Sequence, residues 1–283
     1  MRTPALLALF ASSLATAQDD WHAEDVTFES AGAVLAGTLF IPRADPPLAA
    51  VVLIHGSGPE ERMRWFARLL ASDGFAVLTY DKRGVGMSGG VYEGDNNVST
   101  ENLSLLASDA AAAFASIREH PLLLDIPGGF AGFSQAGWIA PLAALQSPSA
   151  DFIALWSGVV STVDEELHFS ALAQSSPSSL EGYSNRGFRE FLGSVKYRPD
   201  DFDPRQSLSQ LSIDGLWIFG GEDTSIPVDL SIARLEELIG QGHRFDYELF
   251  PDHGHFDFAG QDDPRYQTMK SWMTNIASSL TED

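Results

Sequence analysis

The 283-residue chain carries a formal net charge of −22, with its acidic residues spread along the sequence rather than gathered into a tail. A solvated, self-repelling surface of this kind disfavours nucleic acid and anionic substrates as partners. With no cysteine, disulfides, thiolate metal sites and lipid attachment through a processed cysteine are excluded.

Arg2, the apolar run 4–14 and the small residues Ala15-Thr16-Ala17 read as a secretory leader over residues 1–17, which predicts export to the periplasm or the medium. The apolar run is too short to span a bilayer, and no later segment reaches eighteen uninterrupted apolar residues, so no stable membrane insertion is expected. Residues 18–283, in a chain that is 44% hydrophobic, are expected to form a single domain with one insertion.

Residues 26–30 and 34–40 alternate apolar with small or polar side chains around Ala31-Gly32-Ala33, the pattern of an antiparallel hairpin. The β-branched run 49–54 predicts a strand buried on both faces, ending at the glycine-rich turn "HGSG". A helical stretch with Trp65, Phe66, Leu69 and Leu70 on one face follows, then a second buried strand at 75–80. Further strands are expected at 130–133, 152–156, 216–219 and 245–250, with segments of helical length at 101–119, 135–145 and 228–239 between them. Strands alternating with helices imply crossover connections and a mainly parallel sheet with helices on both faces, an α/β fold.

One interval departs from this rhythm. Residues from about 160 to 212 are polar and rich in serine and aromatics, with helix-like pieces such as 185–192 and no strong strand. An insertion of this length predicts a largely helical cap over a site. Phe169, Tyr183, Phe188, Phe191 and Tyr197 are either the cap's own core or an apolar lining.

Four stretches carry chemistry. In "GFSQAG", Gly132 and Ala136 stand two residues either side of Ser134, at a sharp strand-to-helix turn that would hold its hydroxyl exposed at the C-terminal edge of the sheet. A serine needs a base, an orienting acid and oxyanion donors. In "HGSG" the Ser57 N–H, together with the Gln135 N–H, could form the oxyanion hole, whereas His55 lies too early to be the base and is expected to pack beneath the loop. "GGEDTS" offers Asp223, with Glu222 as competitor, or a carboxylate that merely caps the next helix. "FPDHGHFDF" offers His255, with His253 as alternative.

"HGSG", "YDKRGVGMSGG", "GFSQAG", "FGGEDTSIP" and "PDHGHF" together resemble the α/β-hydrolase superfamily, in particular its bacterial exported, esterase-like members whose chain opens with a hairpin such as "VLAGTLFIP". The resemblance spans nearly all of residues 18–283 except 160–212. It implies an α/β-hydrolase fold and a carboxylic-ester hydrolase with Ser134 as nucleophile, Asp223 as acid and His255 as base. Ser57 and Gln135 would be the oxyanion donors, and Asp81, Arg83 and Gly84 would hold the loop after the second parallel strand. The partner is then a small-molecule ester, with no cofactor and no metal. Ala136 departs from the family, which usually has glycine there.

Three alternatives remain at this point: an exopeptidase or thioesterase on the same residues, a metal-dependent hydrolase using His253, His255 and Asp257 as H-x-H-x-D, and a non-catalytic binding protein.

Overall fold

The computed structural model describes residues 20–43, 46–94, 98–175 and 192–281. The leader read at residues 1–17 lies outside them, as do Tyr183, Phe188, Phe191 and most of the helix-like piece 185–192.

Eight strands form one sheet in the order β1-β2-β4-β3-β5-β6-β7-β8. The hairpin is β1 (Trp21–Ser30) with β2 (Ala33–Pro42), paired antiparallel about Ala31-Gly32. β2 also runs antiparallel to β4 (Ala76–Tyr80). From there the sheet is parallel: β4 with β3 (Ala50–Ile54), β3 with β5 (Gly128–Phe133), then β6 (Phe152–Trp156), β7 (Asp214–Gly220) and β8 (Phe245–Phe250). The hairpin and all six later strands stand where the hydrophobic runs put them.

The period of two along β3 divides its side chains between two cores. Ala50, Val52 and Ile54 join one cluster, with side chains of α2 (Thr100–Ile117), α3 (Ala136–Leu145) and α6 (Val228–Gly240). Val51 and Leu53 join the other, under α1 (Arg64–Ser72) and α7 (Pro264–Thr281). The central strands β3, β5 and β6 are therefore apolar throughout because both faces are covered. Register aligns their C-terminal ends: Ile54 lies beside Gly132, Phe133 beside Trp156, Trp156 beside Ile218 and Gly220 beside Phe250. The turns that carry the chemical motifs thus leave the sheet along one edge.

Two elements differ from the sequence reading. Trp65 does not share the buried face of Phe66 and Leu70; it is 42% exposed. The C-terminal helix α7 was not expected, although Pro264 sits at its first position and Asp263 accepts the Arg265 N–H at 3.0 Å. Tyr266, Met269, Met273 and Ala277 recur at helical spacing and are buried against the sheet.

Within the insertion, α4 (Val163–Ser175) is anchored to α6 rather than free. Glu165 takes both guanidinium nitrogens of Arg234, at 2.5 and 2.7 Å, and Phe169 packs on Leu230. Tyr197 donates to the same Glu165 at 2.9 Å, and the short helix α5 (Arg205–Leu208) leads into β7. Phe169 accordingly packs the insertion onto α6, while Tyr197, half exposed, contributes a hydrogen bond to Glu165. Among the described residues no helix is long and apolar enough to cross a membrane.

Met269 is fully buried between α7 and the sheet. We expect Met269→Ala to lower unfolding free energy by about 2–5 kcal/mol, through lost transfer energy and the cavity left behind. Urea denaturation checks this, and a change below 1 kcal/mol would show that α7 is not part of the folding core.

Candidate active site

The turn after β5 is sterically over-determined. Ser134 adopts φ 53°, a left-handed conformation that costs a non-glycine residue about 1–3 kcal/mol. Its N–H donates to Trp156 O at 3.1 Å, and its carbonyl accepts from Gly137 and Val159 at 2.9 and 3.2 Å. Gly132 has no alternative: a Cβ there would lie 2.5 Å from the Ala136 Cβ and 2.7 Å from Ile54 O. The alanine at 136 is accommodated because residue 132 has no side chain.

The structure brings Asp223 and His255 together. Asp223 Oδ2 lies 2.6 Å from His255 Nδ1, while Oδ1 accepts the N–H groups of Ser225 and Ile226 at 2.8 and 3.1 Å. One oxygen thus ties the turn into α6 and the other hydrogen-bonds the imidazole. Glu222 is exposed and forms no part of the pair.

His255 is carried there by the chain that follows β8. Gly220 lets that chain approach, since a Cβ would fall 2.3 Å from both the His253 and Gly254 carbonyl oxygens. Glu222 N–H then donates to His253 O at 2.8 Å and Ser157 Oγ to His255 O at 2.8 Å. Ser157 is a site residue that the sequence reading missed. It sits one position past β6, at φ 49°, with no motif around it.

Ser134 and His255 line one cavity of about 390 Å³ together with Ser57, Gly56 and Glu60. Its apolar walls are Met63, Trp65, Phe133, Trp156 and Phe256. Phe256 meets Phe133 edge to face at 5.1 Å, and Trp156 lies under the Arg265 guanidinium at 4.7 Å. Among the described residues no hydrogen bond links Ser134 Oγ to the His255 ring. Among the described residues the Ser57 and Gln135 N–H groups likewise have no intramolecular acceptor. Gln135 is buried, and its side chain points to Lys82 rather than into the cavity.

His55 is the structural group expected. Nε2 reaches Tyr80 O at 2.5 Å, and burial, aided by the nearby Lys82 charge, pushes its pKa down to about 3, so the ring is neutral. The loop after β4 is held by two carboxylate–guanidinium pairs. Asp81 accepts from Arg62 at 2.7 and 2.9 Å and from the Met87 N–H at 3.0 Å, while Asp109 receives Arg83. Burial alone would raise the Asp81 pKa, but these donors outweigh it and hold the pKa at about 2. Glu166, on α4, is pushed up to about 7, chiefly by burial; His255 opposes the shift and Asp223 adds to it. A carboxyl that changes charge near neutrality therefore stands in the field of the His255–Asp223 pair.

The H-x-H-x-D stretch does not converge as a metal centre. His255 is turned to Asp223, Asp257 pairs with the buried Arg265, and His253 packs on Phe250 at 5.8 Å. Among the described residues no three such side chains cluster.

Comparison with known proteins gives the following. Residues 45–178 match the family described as Serine aminopeptidase, S33. No curated protein sequence matches significantly. An esterase of Pyrococcus furiosus superposes with TM-score 0.63 at 16% identity, covering 93% of this chain and 91% of that one. Acetyl xylan esterase 1 of a Thermoanaerobacterium species gives 0.56 at 20%, covering 93% and 86%. The acylaminoacyl peptidase of Pyrococcus horikoshii gives 0.64 at 16%, covering 90% of this chain but 41% of that longer one.

The depressed Asp81 pKa fixes a sign. Its stabilisation is fully present above the unfolded value of 3.8 and is lost as pH falls through about 2. We expect Asp81→Asn, which removes one carboxylate partner of Arg62 but leaves it Asp25, Thr38 and the Gly37 carbonyl, to cost about 1–3 kcal/mol near neutrality and to flatten the fall in stability between pH 4 and pH 2. Chemical denaturation across that pH range reads both effects; an unchanged acid limb would contradict the assignment.

Proposed function

We propose that this chain, which belongs to the α/β-hydrolase superfamily, is a serine hydrolase that cleaves carboxylic esters through an acyl-enzyme. The observation carrying the reading is the Asp223–His255 hydrogen bond of 2.6 Å, on an imidazole that shares a cavity with a serine held at a left-handed turn.

On this reading Ser134 Oγ attacks the acyl carbonyl and His255 Nε2 takes its proton. Asp223 fixes the tautomer by receiving Nδ1–H and stabilises the imidazolium that forms. The Ser57 and Gln135 N–H groups, both without an acceptor among the described residues, would receive the oxyanion. His255 returns the proton to the leaving alcohol, and water then attacks the acyl-enzyme with the same histidine as base. No step requires a cofactor.

The ester assignment rests on the walls of the cavity, where Met63, Trp65, Phe133, Trp156 and Phe256 suit an apolar acyl group. A peptidase on the same three residues is the second reading, favoured by the match to the serine aminopeptidase family over residues 45–178. Rates on p-nitrophenyl esters of graded length, measured beside aminoacyl-arylamides and acyl-thioesters, decide between them. We further propose that the enzyme works outside the cytoplasm, on the leader read at residues 1–17.

We expect a fluorophosphonate to label the wild type and not Ser134→Ala, with Ser134→Ala losing at least about 10⁴-fold in kcat. His255→Ala should lose activity comparably, whereas His253→Ala keeps most of it. An unlabelled, folded wild type would leave a binding protein on this fold, and activity surviving in His255→Ala but not in His253→Ala would reverse the choice of base.

A further inference from the structure

Lys82, between the two loop anchors Asp81 and Arg83, has no part in the mechanism above. Yet it is 3% exposed, and a buried ammonium requires partners. Its Nζ donates to Gly56 O at 2.6 Å, to Gly58 O at 2.9 Å and to Gln135 Oε1 at 3.4 Å. These partners are the Gly56–Ser57 peptide, whose N–H is that of Ser57, the Gly58–Pro59 peptide just beyond it, and the side chain of Gln135. Both residues proposed to supply oxyanion donors are thus tied to one nitrogen.

The first contact has a directional consequence. Gly56 C=O and Ser57 N–H belong to one planar trans peptide, so they point in opposite directions. An ammonium that holds the carbonyl behind the loop turns the N–H out of its front, and Ser57 lies on the cavity wall beside Ser134. The same charge polarises the peptide and strengthens that N–H as a donor. Glu60, whose carboxyl lies against Gly56, closes the other side of the loop; burial raises its pKa and the Lys82 charge opposes that rise.

We infer that Lys82 is a positioning residue for the oxyanion hole, clamping the 56–58 loop and Gln135 so that their N–H groups are set before the tetrahedral intermediate forms. The inference rests on the serine-hydrolase reading. It assigns Lys82 no contact with substrate.

The test compares wild type with Lys82→Met and Lys82→Gln, measuring kcat and KM on a p-nitrophenyl ester. It also measures inhibition by a trifluoromethyl ketone, which forms a tetrahedral oxyanion on serine, and by a planar amide of the same shape. Lys82→Met is expected to lower kcat about 10- to 100-fold, in the range of a weakened oxyanion donor, with KM nearly unchanged. Ketone affinity should fall by the same factor, and amide affinity should hold. Lys82→Gln, which retains an amide donor, should fall between; it carries the comparison if the methionine variant does not fold. Folded variants with wild-type kcat and ketone affinity overturn the inference, as does equal weakening of ketone and amide, the signature of a merely structural lysine. A wild type that neither binds the ketone nor takes a fluorophosphonate overturns the serine-hydrolase reading and the inference with it, whereas a labelled wild type with insensitive variants overturns the inference alone.

Discussion

The left-handed backbone at residue 134 is the constraint from which the rest of the site takes its shape. β5 is the strand between β3 and β6, and Ser134 leaves it under restraint from both sides: the Ile54 carbonyl closes the space at Gly132, and the Trp156 carbonyl holds the Ser134 N–H. The turn must bend sharply into α3, whose buried face includes Ala136, Ile139, Ala140 and Ala143. Packing of that helix offsets the cost of the strained residue. What emerges is a small hydroxyl at the rim of a rigid sheet, where loop motion has little freedom to displace it.

Everything else at the rim is brought to that hydroxyl from a distance. The histidine arrives from β8, three strands away from β5, and it does so because the segment after β8 folds back across the end of β7 against Gly220. Its ring is fixed by Asp223 and its carbonyl by Ser157, so side chain and backbone are located independently. On the opposite flank, buried charge does the same work. Asp81 with Arg62, Asp109 with Arg83, and Lys82 with the Gly56 and Gly58 carbonyls hold loops that no hydrophobic contact could aim. A strongly acidic protein thus places several of its few cations inside, at the site.

Whatever depends on period and local sterics could be read from residues alone. The strands at 50–54 and 152–156 are continuous apolar runs because both faces are buried, and that is visible without coordinates. Ser134 was legible through Gly132 and Ala136, and Asp223 and His255 through their turns after β7 and β8. What could not be read depends on convergence of distant segments. Ser157 has no motif, Lys82 looks like a surface lysine until the 56–58 loop is folded over it, and Trp65 changes from a core residue to a cavity wall by where α1 lies on the sheet. The helix at Pro264–Thr281 is different, since its capping residue and its spacing at 266, 269, 273 and 277 were present in the sequence to be found.

The central claim is that the hydroxyl at 134 becomes covalently bonded to the acyl group during turnover. Rapid acid quenching of the protein during hydrolysis of a p-nitrophenyl ester, followed by peptide mass spectrometry, tests it most directly. The account predicts a p-nitrophenol burst, with the acyl mass increment on Ser134. Steady hydrolysis with the increment on another residue, or with no covalent species although p-nitrophenol is released in a burst, would contradict it.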